Sequence, residues 1–228
     1  AFTEMKDELK KSLFSQWKAE QERIEMIEAL AHDLKTPLSV IMAYSEALTD
    51  TDSIDDEKLK TYLNVINGNA KKSSNLVMQM QYTSDLENAN TNSVLRNVNL
   101  TEFLKKKISQ YRFQAKQKEI DIVLNINSDL GYVMSDTDRL ERILDNIFSN
   151  SLQYTPYKGS IKFFVNKENN KIVYEICDTG SGFTQKDMDK AFDRFYRGDK
   201  ARSSEGGHLG LGLYIVKKLV EQLHGSVI

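Results

Sequence analysis

The sequence is poor in the residues that staple or punctuate a fold: its 228 residues include one cysteine, two prolines, one tryptophan and three histidines. The single thiol, Cys177, cannot form an intrachain disulfide, and with no CxxC pair and only scattered histidines there is no zinc-binding spacing. Such usage fits a reducing compartment. Cys177 ends the apolar run IVYEIC and is expected to be a small buried hydrophobe. An excess of one charge is also lacking. A formal net charge of −2 leaves no basic surplus to neutralise nucleic-acid phosphates. No apolar run approaches the roughly 20 residues that span a bilayer, and no signal peptide is visible. What is present is 40% hydrophobic and 28% charged residues, the balance of a chain that folds around a core, at a length that suits two domains.

The chain opens at Ala1 without an initiator Met and already in helical pattern, so it is expected to be a piece of a longer protein. Phe2, Met5, Leu9, Leu13 and Trp17 include successive spacings of four, a stutter that locally unwinds a coiled coil and suits a signalling linker over residues 1–22. Then Ile24, Ile27, Ala31, Leu34, Leu38, Ile41, Ser45 and Leu48 alternate spacings of three and four, the heptad signature of a helix burying one seam. TDTDSIDDEK interrupts the pattern, with Ser53 and Asp56 spaced as a capping box. Leu59, Leu63, Ile66, Ala70, Ser73, Val77 and Met80 repeat the seam. Two helices with one apolar stripe each cannot enclose a core. The hairpin, residues 23–86, is therefore expected to pair with a second copy as a four-helix bundle, the alternative being that the stripes pack on the following domain.

The polar stretch ENANTNSVLRN, residues 87–97, reads as a linker. Over 98–228 the elements alternate: a helix over 100–118, strands IDIVLNI and GYVMSD, and a helix over 137–154 ended by Pro156. An antiparallel pair, SIKFFVN and KIVYEIC, follows around KENN, with a short helix near 186–192 and a last helix over 211–223. An α/β layered domain is expected to follow the helical hairpin.

Eight of the eleven glycines lie after Asp178, and bare backbone is what phosphates and nucleobases approach closely. In DTGSG, Asp178 stands at a strand end with Gly180 and Gly182 clearing space beside it. Such an acceptor takes the exocyclic amino hydrogens of adenine, where guanine presents a carbonyl. An ordinary turn has the same look. On RLERILDNIFSNSLQY, Leu140, Leu144, Ile147, Phe148 and Leu152 make one stripe, and Arg142, Asn146, Asn150 and Gln153 fall on another face. Neutral amide oxygens one turn apart suit Mg²⁺ already bound to a triphosphate, because they add ligands without adding charge. A solvated helix face gives the same pattern. The run DRFYRGDKARSSEGGHLGLGLYIV starts with Phe192, Phe195 and Tyr196, carries Arg194, Arg197, Lys200 and Arg202, and has no helical or strand period. It reads as a basic lid over phosphates, ending in GLGL at a helix start whose free N–H groups favour an anion.

DTGSG, FDRFYR, GGHLGLGL and the paired asparagines resemble, in order and approximate spacing, the ATP-binding domain of sensor histidine kinases, within the GHKL ATPase group. AHDLKTPL resembles that family's phosphoacceptor box, and the hairpin its dimerisation and histidine-phosphotransfer domain. The resemblance runs from about Arg23 to Ile228. It implies a dimeric four-helix bundle followed by a Bergerat-type α/β sandwich, with ATP and Mg²⁺ as cofactors. It implies that His32 takes the γ-phosphoryl group on Nε2, that Asp33 accepts the Nδ1 hydrogen, and that the phosphoryl group passes to an aspartate of a response regulator. Thr36 would serve dephosphorylation of that partner. Asn146, Asn150, Gln153, Tyr154, Asp178, Gly180, Gly182, Arg197, Gly207, Gly210, Leu211 and Gly212 would form the ATP site, with Asn150 as metal ligand and Arg197 at the γ-phosphate. A homodimer is implied as well, with a plasma-membrane anchor and sensor region upstream and this portion in the cytoplasm. HGSVI stops where the family continues into a strand and closing hairpin, so the last sheet edge is expected to be truncated.

The residues add their own argument. Positions 31 and 34 hold the seam, which turns His32 toward solvent, and an exposed imidazole is largely neutral at pH 7 and nucleophilic. Pro37 cannot donate to the Asp33 carbonyl, so a bend is expected just beyond the histidine. Two departures from the family stand out: Gln153 where lysine is common, and His208 and Leu209 where a glycine and a small hydroxyl residue are common. Both remove phosphate contacts, so ATP binding is expected to be weak unless Arg142 or a lid residue supplies the charge. The rival reading is a nucleotide-binding signalling scaffold without kinase activity. ATPases of the gyrase or Hsp90 kind lack an HDLKTP box.

Overall fold

The computed structural model describes residues 2–50, 54–88, 93–126, 130–169, 171–198 and 209–228. They form two compact units, a helical hairpin and an α/β domain.

In the hairpin, α1 spans Phe2–Thr49 and α2 spans Asp56–Asn88. The first helix runs through Pro37, which is buried. Asp55 caps the second: its carboxylate accepts from Lys58 N at 2.8 Å and its carbonyl from Leu59 N at 2.9 Å. Asp56 and Glu57 follow in the first turn, where the helix dipole favours carboxylates. Ser53, the expected cap, lies outside the described residues. The expected seam is split between two environments. Met26, Asp33, Leu34, Pro37 and Tyr44 on α1, and Tyr62, Ile66, Ser73 and Leu76 on α2, are buried or half-buried, and Tyr44 meets Tyr62 edge-on at 5.0 Å. Ile24, Ile27, Ala31, Leu38, Leu63, Ala70 and Val77 are exposed. Ala31 is thus exposed in the single hairpin. A helix in a four-helix bundle faces two neighbours, and one hairpin supplies only one.

In the second unit, β1 (Arg96–Asn99) pairs antiparallel with β3 (Tyr132–Ser135). A separate three-stranded sheet has β2 (Asp121–Ile126) parallel to β4 (Ser160–Glu168) and β4 antiparallel to β5 (Lys171–Asp178). The strand β1 was not expected. RNVN carries one apolar residue and half of it falls in the stretch read as a linker, so its strand state comes from pairing with β3 rather than from propensity. Asn99 then caps α3 (Leu100–Ala115) by accepting from Glu102 N at 3.1 Å. Next comes α4 (Thr137–Tyr154), whose N-cap Asp136 is buried. The Asp136 carboxylate accepts from Arg139 N and Val94 N, each at 3.1 Å, and pairs with Arg139 Nε at 3.3 Å. One side chain thus ties the approach to β1 to the start of α4. Two further helices among the described residues are α5 (Gln185–Lys190) and α6 (Gly212–Gln222), and α6 packs on α4.

Helices α3 and α4 cover one face of the three-stranded sheet. Leu104, Ile108 and Tyr111 with Leu144 and Phe148 meet Ile122, Ile161, Phe163 and Val165 in one buried cluster. Phe148 stacks on Tyr111 at 4.2 Å and meets Phe163 edge-on at 5.5 Å. Each such burial contributes about 1.5–3 kcal/mol, so this cluster sets the rotation of α4 and hence which side chains face away from the core. Polar contacts reinforce it. Lys107, with 8% of its side chain exposed, reaches Glu141 at 2.9 Å and Asp145 at 2.7 Å, and Tyr111 donates to Asp145 at 2.5 Å. Burial works against the charge on Lys107, but hydrogen bonds and attraction from Asp145 and Glu141 outweigh it and raise its pKa. Burial, followed by Asp145, raises that of Tyr111. On β5, Ile172, Tyr174 and Ile176 turn toward the core. Cys177 falls on the opposite face and is exposed, not buried as expected: strand period, not the apolarity of the run, decides its side.

Candidate functional site

His32 projects from α1 with 83% of its side chain exposed, and its Nδ1 lies 3.0 Å from Oδ1 of Asp33, whose side chain is only 12% exposed. One helical step of about 100° separates the covered carboxylate from the uncovered imidazole. A hydrogen on Nδ1 is donated to Asp33 and leaves the Nε2 lone pair available. The exposure expected of His32 is present, although the inward residues are Asp33 and Pro37 rather than Ala31. Thr36, one turn further on, is exposed too.

In the α/β unit, α4 is the spine of the site. Asn146, Asn150 and Gln153 are half-buried on its outward side and Tyr154 is exposed. Asn146 Nδ2 donates to the Arg142 carbonyl at 2.8 Å. Its Oδ1 faces the first residue of α6: a Cβ added to Gly212 would stand 3.3 Å from it and 3.8 to 3.9 Å from the Asn150 amide. Gly212 therefore keeps open a cradle between two amides and a helix start. Tyr154 is eight positions beyond Asn146, about 12 Å along the axis. There Gly180 packs so closely that a Cβ would lie 3.1 Å from the Tyr154 carbonyl oxygen and 2.7 Å from Asp178 Oδ1. Asp178, exposed at the end of β5, accepts from Gly180 N at 2.9 Å. Thr179 bonds Ser160 in both directions, at 3.0 and 3.1 Å, which anchors the loop to β4. Gly182 has φ +67°, a left-handed conformation that favours glycine.

The structure thus brings together Tyr154, Asp178 and Gly180 at the C-terminal end of α4, and Asn146, Asn150 and Gly212 one to two turns back along it. Arg197 is half-buried in the segment leading away from α5. Gly210 has φ +67° and Leu211 is buried; both are grouped with the first unit. Gly207, Lys200, Arg202 and His208 lie outside the described residues. Two contributors carry no sequence signal. Lys118 Nζ donates to the carbonyls of Leu152 at 2.8 Å and Gln153 at 2.9 Å, placing a cation where the last turn of α4 has unbonded oxygens. Thr155, buried beside Tyr154, has a hydroxyl without a hydrogen-bond partner among the described residues. A third, Asp187, was legible: Thr184 and Asp187 have capping-box spacing, and the structure shows that box at the start of α5.

The family described as His Kinase A (phospho-acceptor) domain matches residues 22–89, and that described as Histidine kinase-, DNA gyrase B-, and HSP90-like ATPase matches residues 135–228. Over 213 residues the chain is 33% identical to the sensor histidine kinase WalK of Bacillus subtilis, covering 92% of this chain and 34% of that relative. The chain belongs to the sensor histidine kinases. It spans about a third of the length of the curated kinase named here. Among solved histidine kinases, its fold is similar to that of AdeS from Acinetobacter baumannii, with TM-score 0.65 and 21% identity, covering 86% of this chain and 89% of that one. It is also similar to ThkA, solved in complex with the response regulator protein TrrA, with TM-score 0.67 and 22% identity, covering 88% and 55%. As in those kinases, a helical hairpin precedes an α/β ATPase domain.

The donor set in this kinase ATPase domain fits a Mg²⁺–triphosphate. Two neutral amides face the cradle that a Cβ on Gly212 would enter. Among the described residues no group of three His, Cys, Asp or Glu could hold a metal alone, so a cation here would take most of its ligands from phosphate and water.

Proposed function

We propose that the chain is the kinase core of a two-component sensor, which transfers the γ-phosphoryl group of Mg·ATP to His32 and then to an aspartate of a response regulator. The observation that carries this is an exposed imidazole, bonded through Nδ1 to a covered carboxylate, in one chain with a domain of the histidine-kinase ATPase family. Nε2 attacks the γ-phosphorus, and the N–P bond forms as the bond to the β,γ-bridging oxygen breaks and ADP departs. The hydrogen stays on Nδ1, where Asp33 stabilises the imidazolium. Asp178 takes the adenine amino group beside Tyr154, Gly180 and Gly182. Asn146, Gln153 and Gly212 line the phosphate side, Asn150 would hold Mg²⁺, which offsets phosphate charge when bound, and Arg197 meets the γ-phosphate.

Two hairpins pair into a four-helix bundle, which accounts for the exposed Ile24, Ile27, Leu38, Leu63 and Val77. The linker over 1–22, the hairpin over 23–86, the connection over 87–97 and the catalytic domain over 98–228 make up that core. The intact protein is anchored in a bacterial plasma membrane with a sensor region upstream, and this portion is cytoplasmic. Among the described residues no helix is long and apolar enough to cross a membrane. Thr36 orients water for dephosphorylating the partner. Incubation with γ-labelled ATP tests the reading: label that is acid-labile and alkali-stable is expected, and its absence favours a scaffold that binds nucleotide only.

A further inference from the structure

The segment entering the basic run is held from two sides. Arg194 donates to the Tyr214 hydroxyl of α6 at 2.6 Å and lies over that ring at 4.7 Å. Two residues later the Tyr196 hydroxyl donates to Asp187 Oδ1 of α5 at 2.9 Å. Between them Phe195 has φ +59°, a conformation that an aromatic L-residue adopts only where its surroundings impose it. The Asp187 carboxylate serves two structures at once. Oδ2 accepts from Thr184 N at 2.8 Å and Thr184 Oγ1 at 2.7 Å to start α5, which leaves Oδ1 for the loop. Gly198 comes so near that a Cβ there would lie 2.6 Å from that oxygen. The Thr184 side chain, then the Thr184 N–H, then Tyr196 hold the Asp187 carboxyl below the usual carboxylate range, so it is charged at neutral pH.

Arg197 stands between Tyr196, which donates to Asp187, and Gly198, whose backbone lies close beside that carboxylate. We propose that Asp187 and Tyr196 are positioning residues for Arg197: together with the Arg194–Tyr214 contact they fix the backbone that leads into it and aim its guanidinium at the γ-phosphate. This rests on the proposed contact between Arg197 and ATP. A guanidinium recognises phosphate through a planar fork, so its value depends on orientation.

The test compares Mg·ATP and Mg·ADP affinities by calorimetry, with melting temperatures alongside. Tyr196→Phe removes only the hydroxyl and leaves the capping box in place. It should weaken ATP by roughly five- to tenfold, leave ADP unchanged and barely move the melting temperature. Asp187→Asn should show the same selectivity for ATP. Arg197→Ala should lose ATP affinity selectively, and adding Tyr196→Phe to it should have no further effect, since the two act through one contact. Equal losses for ATP and ADP in Tyr196→Phe, or an undiminished effect on top of Arg197→Ala, would overturn the positioning and leave the role of Arg197 standing. If Arg197→Ala shows no selective loss, both ideas fail.

Discussion

Replacing Gly180 with alanine separates the nucleobase end of the site from the phosphate end. The new methyl carbon would stand 2.7 Å from Asp178 Oδ1 and 3.1 Å from the Tyr154 carbonyl oxygen. The carboxylate can swing away, but the carbonyl belongs to the backbone at the end of α4. Accommodating the methyl group therefore breaks the 2.9 Å bond from Gly180 N to Asp178 and displaces the proposed adenine acceptor. A hydrogen bond to a charged group contributes about 1.5–3 kcal/mol, or roughly 10- to 150-fold in affinity. Because Asp178 is exposed, its freed carboxylate is resolvated, and the fold should lose less than about 1 kcal/mol. Calorimetry with ATP and adenosine should show both weakened by the same factor. At Gly182 an added Cβ would meet no atom of the described residues within 4 Å, and only backbone strain of about 1 kcal/mol would oppose alanine there. Unchanged adenosine affinity in Gly180→Ala, or a loss confined to ATP, would refute the reasoning.

Gln153→Lys restores a cation beside the phosphates and should tighten ATP about tenfold, the effect of one charge-assisted bond, with a smaller change for adenosine. Equal changes in calorimetry would mean that position 153 does not face the phosphates. Lys107→Met leaves Glu141 and Asp145 without their cation. Because those side chains are each 48% exposed and regain water, the cost in urea unfolding should be about 1–3 kcal/mol, below that of a fully buried pair. An unchanged midpoint would make the cluster ornamental. Thr36→Ala should lose phosphatase activity toward the phosphorylated partner and keep autophosphorylation. Equal loss of both in parallel assays would indicate a packing role.

Elements with a clean period were legible in the sequence. The apolar stripe of α4 gave both its span and its outward asparagines, and the alternation of β4 and β5 gave their pairing. Asp178 stands at the strand end where DTGSG suggested it. Features supported by distant partners were not legible. β1 is polar and owes its state to β3, while Lys118 caps a helix end that lies 34 residues downstream. The hairpin shows a subtler limit: heptad spacing marks every position that contacts some helix, but not which neighbour covers it. Ala31 and Leu38 therefore share a pattern with Leu34 and differ from it in exposure. Cys177 was misplaced because the apolarity of a run was weighed above its two-residue period.

The most direct test of the central claim is phosphoryl incorporation from γ-labelled ATP into the chain and into His32→Gln, with ATP affinity measured on the same samples. The proposed acceptor imidazole is exposed on the hairpin, and the asparagine and DTGSG groups belong to the α/β unit. The substitution should therefore abolish acid-labile label and leave ATP affinity unchanged. Label persisting in His32→Gln, or loss of ATP binding with it, would contradict the account.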